Sequence, residues 1–222
     1  MAGPAVVVAV DGPVAAGKGT LARRLAGHFG LAYLDTGTLY RAVGLKLLIQ
    51  GADPEDPALA LAAARAIGAG DLSAPALRDE ATGMAASKIA AMPQVRAALL
   101  DYQRRFAAAP PAGGRGAVLD GRDIGTIVCP HAQAKLFVTA RPEVRAHRRY
   151  RELVARSRAA GTAGAQVSEA EVLADLLLRD AGDRERIVAP LTPAADAYLL
   201  DTSDLDIEGA FAAARAFVES KL

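Results

Sequence analysis

The chain reads as an α/β protein: a five-stranded parallel sheet flanked by helices. Three observations predict this. Short apolar runs begin near residues 5, 31, 117, 135 and 197, and the intervals between them carry helical periodicity. The first run, Val6 to Val10, stops at Asp11-Gly12-Pro13 and passes through a glycine loop into a helix. Hydrophobic residues make up 52% of the chain, much of that alanine, which suits closely packed helices over a buried sheet. At 222 residues this is one domain of ordinary size.

The first strand leads into Gly-x-x-x-x-Gly-Lys, from Gly12 to Lys18, and a helix then follows with Leu21 and Leu25 on one side and Arg23 and Arg24 on the other. Such a loop turns consecutive backbone N–H groups inward at the positive end of a helix, and Lys18 adds a full charge; this is a phosphate-binding loop. Glycine is needed where a Cβ would block close approach or where φ is positive. Gly19 separates Lys18 from Thr20, whereas the general pattern has Ser or Thr directly after the lysine. Lys18 is expected to face solvent.

A second strand, Leu31 to Leu34, ends at Asp35, and Thr36-Gly37-Thr38-Leu39-Tyr40-Arg41 opens a helix. Thr36 or Thr38 is its expected N-cap, with Leu39, Val43 and Leu47 on its inner face. Arg41, one turn in, is either a solvated helix charge or a phosphate ligand. An alanine-rich helix to about Ile67 follows the turn cluster Gly51 to Pro57, and Gly68 to Pro75 reads as a polar loop. Ala76 to Ala91 and Pro93 to Ala108 read as two helices carrying Ser87 and Arg96, and Pro110 to Gly116 as a flexible connection.

The third strand runs from Ala117 into Asp120-Gly121-Arg122-Asp123-Ile124-Gly125-Thr126. This is either a surface turn or a site loop at the carboxyl end of a parallel strand. Lys135 to Thr139 is the fourth strand. The helix from Pro142 to about Ala159 carries Arg145, Arg148, Arg149, Arg151, Arg156 and Arg158, suited to a nucleic-acid backbone or to a triphosphate. Gly161 to Gly164 reads as a hinge-like break. Ser168-Glu169-Ala170-Glu171 is a capping box, and Val172, Leu173, Leu176 and Leu177 form the expected buried stripe of the helix it opens. Arg179, Asp183 and Arg186 share one face if that helix runs through Gly182; they form an ion-pair ladder or part of a site. Ala197 to Leu200 is the last strand, before a closing helix from about Ile207.

Several classes are excluded. Cys129 is the lone cysteine, so there is no disulfide framework or cysteine metal cage, and the three histidines are dispersed. The net charge of +1 supplies no bulk field for nucleic acid or membrane. No apolar run approaches a bilayer span and the first is too short for a signal peptide, so a cytoplasmic protein is expected. With no asparagine in the chain, the Asn-Lys-x-Asp guanine reader of GTPases is absent.

Gly-Lys-Gly-Thr resembles the loop of nucleoside monophosphate kinases. Taken with Asp35-Thr36-Gly37 to Tyr40-Arg41, Asp120 to Thr126, the Arg179, Asp183 and Arg186 trio and Val188-Ala189-Pro190-Leu191, the resemblance narrows, nearly end to end, to the bacterial cytidylate kinases. It implies the P-loop nucleoside monophosphate kinase fold, with helical acceptor-binding and lid insertions. The core would comprise about 1–40, 115–145 and 190–222, the acceptor-binding insertion about 41–110, and the lid about 146–186. It implies transfer of the γ-phosphate of ATP to CMP or dCMP by a monomer, with Mg²⁺ held mainly through the ATP phosphates and no metal-ligating cluster in the protein.

By the same resemblance Gly12, Pro13, Val14, Ala15, Ala16, Gly17, Lys18, Gly19 and Thr20 hold ATP, and Arg148 lies near the adenine. Arg41, Arg122 and Arg186 grip the acceptor phosphate, with Thr36 among the acceptor-binding residues. Ser87, Arg96 and Asp123 read cytosine, and Arg179 and Asp183 meet the ribose. Lys18, Arg122, Arg179 and Arg186 would act on the transferring phosphoryl group. Family members often carry a small three-stranded insertion in the acceptor region, which Gly68 to Pro75 is too short and polar to supply. Two other readings share parts of the pattern: another P-loop kinase acting on adenylate or a non-nucleotide acceptor, and a nucleic-acid-binding P-loop ATPase.

Overall fold

A computed structural model of the chain describes residues 5–111, 114–159, 167–186 and 188–222. The hinge-like break expected at 161–164 lies outside the described residues. Five parallel strands form one sheet in the order β2-β3-β1-β4-β5. They are β1 (Val6–Asp11), β2 (Ala32–Asp35), β3 (Gly116–Gly121), β4 (Ala134–Thr139) and β5 (Tyr198–Asp201). The eight helices of the described residues are α1 (Lys18–Phe29), α2 (Thr36–Ile49), α3 (Pro57–Arg65), α4 (Glu80–Ile89), α5 (Pro93–Ala108), α6 (Pro142–Ala159), α7 (Glu169–Glu185) and α8 (Ile207–Glu219).

Side chains alternate across a strand, so a sheet covered on both faces builds two cores. Val8, Val10, Val118, Leu136 and Val138 point to one face, where Leu21 and Leu25 of α1 and Ala214 and Val218 of α8 cover them. Ala9, Ala117 and Leu119 point to the other and meet Leu39, Val43 and Leu47 of α2, Ile89 of α4 and Val95 and Leu99 of α5. Residues such as Leu25 and Leu39 are fully buried, each contributing about 1.5–3 kcal/mol by leaving water.

The register sets the site. Val10 pairs with Asp120, Asp120 with Asp35, and Asp11 with Gly121, so three carboxylates end adjacent strands at one edge of the sheet. All the crossover loops that follow open on that edge.

Between α2 and α5 there is no strand, only α3, α4 and two single turns of 3₁₀ helix, Ala69–Leu72 and Pro75–Arg78. The helix expected from Ala76 is divided: Asp79 is extended, and α4 starts at Glu80. The Leu77 carbonyl, which a continuous helix would use internally, accepts a hydrogen bond from Arg41 instead (3.0 Å). At α2 the N-cap is Asp35, whose carboxylate accepts from the Thr38 N–H; neither threonine caps, and Thr36 is the first helical residue. α7 runs through Gly182 to Glu185. Its buried stripe is Val172, Leu176, Asp180 and Asp183, while Leu177 is exposed.

Candidate active site

The loop between β1 and α1 has the backbone an anion cradle requires. Gly12 has φ 149°, and a Cβ there would lie 2.0 Å from the Val138 carbonyl oxygen. Gly17, in the left-handed region, precedes α1 without any side-chain cap, and the first turn holds no acidic residue. The helix therefore offers uncapped N–H groups and its positive dipole end to the loop.

Lys18 does not face solvent. Its side chain is 12% exposed, with Nζ 3.8 Å from Asp120 Oδ1 and 3.5 Å from the Pro13 carbonyl. Burial, helped by the nearby Arg122 charge and opposed by Asp120, Asp35 and Asp11, pushes the amine down to about 8. Burial likewise raises the Asp120 carboxyl, which accepts from the Tyr33 hydroxyl at 3.1 Å. Thr36 donates to the Asp120 carbonyl (2.8 Å), so the start of α2 is fastened to the end of β3.

Asp120 to Thr126 is not a surface turn. β3 runs to Gly121, and Ile124–Val128 forms a turn of π-helix, with Asp123 and Ile124 buried. Arg122 donates from Nη1 to the Gly12 carbonyl (3.0 Å) and from Nε to Asp183 Oδ2 (2.7 Å). Arg186, the C-cap of α7, pairs with the other oxygen of Asp183. Burial, with Arg96 and Arg122 close by, lowers the Arg186 pKa. Arg96 on α5 meets Asp123 at 2.6 Å and lies over the Tyr40 ring. Two ion-pair groups, Arg122–Asp183–Arg186 and Arg96–Asp123, thus lie close together beside the loop.

Two cavities flank α6, sharing Arg149 and Glu152 as wall residues. One, about 620 Å³, is lined by Ala16, Gly17, Thr20, Arg148, Thr202 and Ile207 among others. In it Arg148 donates to the Thr202 hydroxyl (3.0 Å) and carbonyl (2.7 Å). The other, about 770 Å³, is lined by Arg23, Tyr33, Asp35, Thr38, Arg41, Arg78 and Arg156 among others. Arg41 is half-buried there; burial lowers its pKa, and the charges of Arg149, Arg179 and Arg156 act in the same direction. Arg179 reaches Glu80 at 3.7 Å.

The expected residues therefore fall into neighbouring groups, and Ser87 makes none of the contacts just described. Ser87 is exposed, and its hydroxyl donates to the Gly83 carbonyl one turn back on its own helix. Sequence reasoning also missed Asp11. Its carboxylate accepts from the Ile124 and Gly125 N–H groups (2.8 and 2.7 Å), holding the π-turn behind Asp123 against the root of the phosphate loop. A carboxylate closing a fully apolar strand was the available signal.

The family model described as cytidylate kinase matches residues 8–218. Named relatives cover nearly all of the chain. The cytidylate kinase of Paramagnetospirillum magneticum is 59% identical over 215 residues, covering 97% of this chain and 98% of that protein. The cytidylate kinase of Xanthobacter autotrophicus is 57% identical over 216 residues, with the same coverage. The cytidylate kinase of Rhodospirillum rubrum is 56% identical over 209 residues, covering 94% and 95%. A solved structure of an uncharacterized protein from Eubacterium ventriosum shares the fold: TM-score 0.53 at 13% identity, covering 97% of this chain and 98% of that one. The chain belongs to the cytidylate kinase family.

Proposed function

We propose that the chain transfers the γ-phosphate of ATP to CMP or dCMP, giving ADP and CDP or dCDP. The observation that carries this reading is Arg122, which bonds the phosphate loop with one nitrogen and the acceptor-side Asp183 with another. Phosphoryl transfer needs two anions held in line and their charge neutralised, and a cation between a donor loop and an acceptor cluster suits both needs. The acceptor phosphate is itself an anionic nucleophile, so no general base is required.

In this reading the triphosphate lies along Gly12 to Thr20 with Lys18 at its transferring end, and Arg148 lines the cavity for its base. Arg41, Arg122 and Arg186 take the acceptor phosphate, Arg96 and Asp123 the cytosine, and Arg179 and Asp183 the ribose. Thr36 holds the acceptor side to β3, and Ser87 joins Arg96 and Asp123 at the cytosine. Residues 41–110 form the acceptor region and 146–186 the lid over a core of 1–40, 115–145 and 190–222. Asp35 and Asp120, on paired strand ends, are hard oxygen donors suited to a magnesium ion that enters with the phosphates and keeps much of its water. When bound, that ion supplies positive charge to the phosphate oxygens.

The inward engagement of α6 supports a kinase over a nucleic-acid-binding ATPase. Arg145, Arg148 and Arg156 bond Asp180, Thr202 and the Arg78 carbonyl on other elements, and Arg149 pairs with Glu152 on α6 itself, while Arg151 and Arg158 stay exposed. The test is ADP formation by the purified protein with CMP, dCMP, UMP, AMP and shikimate in turn. Turnover is expected with CMP or dCMP far above the others; equal turnover with AMP or shikimate, or none with either cytidylate, overturns the assignment.

A further inference from the structure

Arg145 on α6 and Asp180 on α7 form a buried pair outside the site described above, both about 2% exposed. The carboxylate takes two hydrogen bonds, from Nη1 at 3.1 Å and from Nη2 at 2.6 Å. The same guanidinium donates from Nε to the Ala140 carbonyl (2.9 Å) and from Nη1 to the carbonyl of Val14, inside the phosphate loop (3.2 Å). Three residues along the same face of α7, Asp183 holds Arg122, which donates to the carbonyl of Gly12. α7 thus grips the loop twice by one arrangement: a carboxylate, an arginine and a loop carbonyl.

We infer that Arg145 and Asp180 are positioning residues for phosphoryl transfer, tying α7 and its acceptor-side residues Arg179 and Asp183 to the phosphate loop. This rests on the function proposed above. Stability alone does not account for the pair, because a well-packed apolar pair of similar volume commonly serves a core as well or better. What an apolar pair lacks is the planar fork that holds a carboxylate and two backbone carbonyls at once. Any shift of the Val14 carbonyl when phosphates fill the loop is therefore passed to Asp180, and α7 is set for the acceptor as the donor binds.

The test compares the wild type with Arg145→Met/Asp180→Leu, which removes both charges together, and with Arg145→Lys, which keeps the charge but not the fork. Thermal unfolding establishes that each variant is folded. Steady-state kinetics with ATP and CMP then give kcat and KM, and hydrogen exchange with a non-hydrolysable ATP analogue, without acceptor, follows the α7 amides. Both variants are expected to lose kcat, the double variant about tenfold or more, with KM changed less than threefold. Analogue-induced protection of the α7 amides is expected to disappear, while that of α1 remains. Wild-type kcat together with wild-type α7 protection in either folded variant overturns the inference. Absence of CMP turnover in the wild type would overturn the functional reading instead, and the exchange measurement would still decide whether this tie exists.

Discussion

Lys18 should oppose stability while enabling catalysis, and replacing it should separate the two. Its amine falls from an ordinary 10.5 to about 8 because burial outweighs the attraction of Asp120, Asp35 and Asp11. At 1.36 kcal/mol per unit, the charged form costs the native state about 3 kcal/mol relative to a neutral group there. The sign follows from proton counting. Between pH 8 and 10.5 the unfolded chain binds more protons at this residue than the folded one, so its contribution to stability rises with pH across that window. Lys18→Met, similar in volume and uncharged, is therefore expected to be about 1–3 kcal/mol more stable than wild type at pH 7, a rise of roughly 2–4 °C in Tm per kcal/mol. The gain should shrink toward zero by pH 10.5. Activity with ATP and CMP should fall at least a hundredfold, as when a group stabilising transition-state charge is removed. Urea unfolding at pH 7, 8.5 and 10, beside initial rates, reads all three expectations. A variant less stable than wild type at pH 7 would show that the carboxylates need Lys18 more than burial penalises it; half-maximal activity would remove the loop from the chemistry.

Three further outcomes follow from the site. ATP affinity should decline as pH rises above about 8, by up to tenfold per unit, because a phosphate beside Lys18 favours its charged form and must then pull a proton onto it; titration calorimetry in buffers of differing ionisation enthalpy should show proton uptake near pH 8.5, and a flat affinity to pH 10 would contradict this. Asp123→Asn should lower CMP turnover and reduce the CMP-to-UMP preference by about tenfold or more, since an amide both donates and accepts where a carboxylate only accepts; equal loss for both substrates would mean that Asp123 serves Arg96 alone. Gly12→Ala should destabilise the fold, by more than about 1 kcal/mol, because its Cβ meets the Val138 carbonyl at 2.0 Å, and chemical denaturation showing no loss would contradict the close packing of the loop on β4.

The sheet was legible because its three central strands, β1, β3 and β4, are largely buried and read as continuous apolar runs, and the edge strands β2 and β5 keep short apolar runs although they are more exposed. The difficulties arose where a side chain takes over a backbone's bonding. Ala76 to Ala91 has helical composition throughout, yet Arg41, 36 residues earlier, takes the Leu77 carbonyl, and Asp79 turns outward. Propensity is local and cannot register such a partner. Gly182 posed the opposite problem. Its cost of about 1 kcal/mol against alanine left the helix's continuation open, but Asp180 and Asp183 on either side are held by arginines, and the helix continues.

α7 also shows why half of the site's supports could not be seen in the pattern. Its buried stripe has regular helical spacing, Val172, Leu176, Asp180, Asp183, but changes from apolar to acidic halfway. A search for apolar periodicity ends at Leu176 and substitutes Leu177, which is exposed. The carboxylates belong on that stripe because Arg145 is buried and Arg122 and Arg186 half-buried against it, and cations drawn out of water require counter-ions. Three of the arginines assigned to the acceptor in the proposed reading are paired with the protein's own aspartates, Arg122 and Arg186 sharing Asp183 and Arg96 holding Asp123, while Arg41 bonds the Leu77 carbonyl. In the proposed reading, a substrate phosphate entering this cluster would exchange with the Asp183 carboxylate rather than fill a bare cationic hole. On that reading much of the phosphate's binding energy would be spent displacing Asp183, and Asp183, freed from its arginines, would become available to a hydroxyl donor such as the ribose it is assigned to.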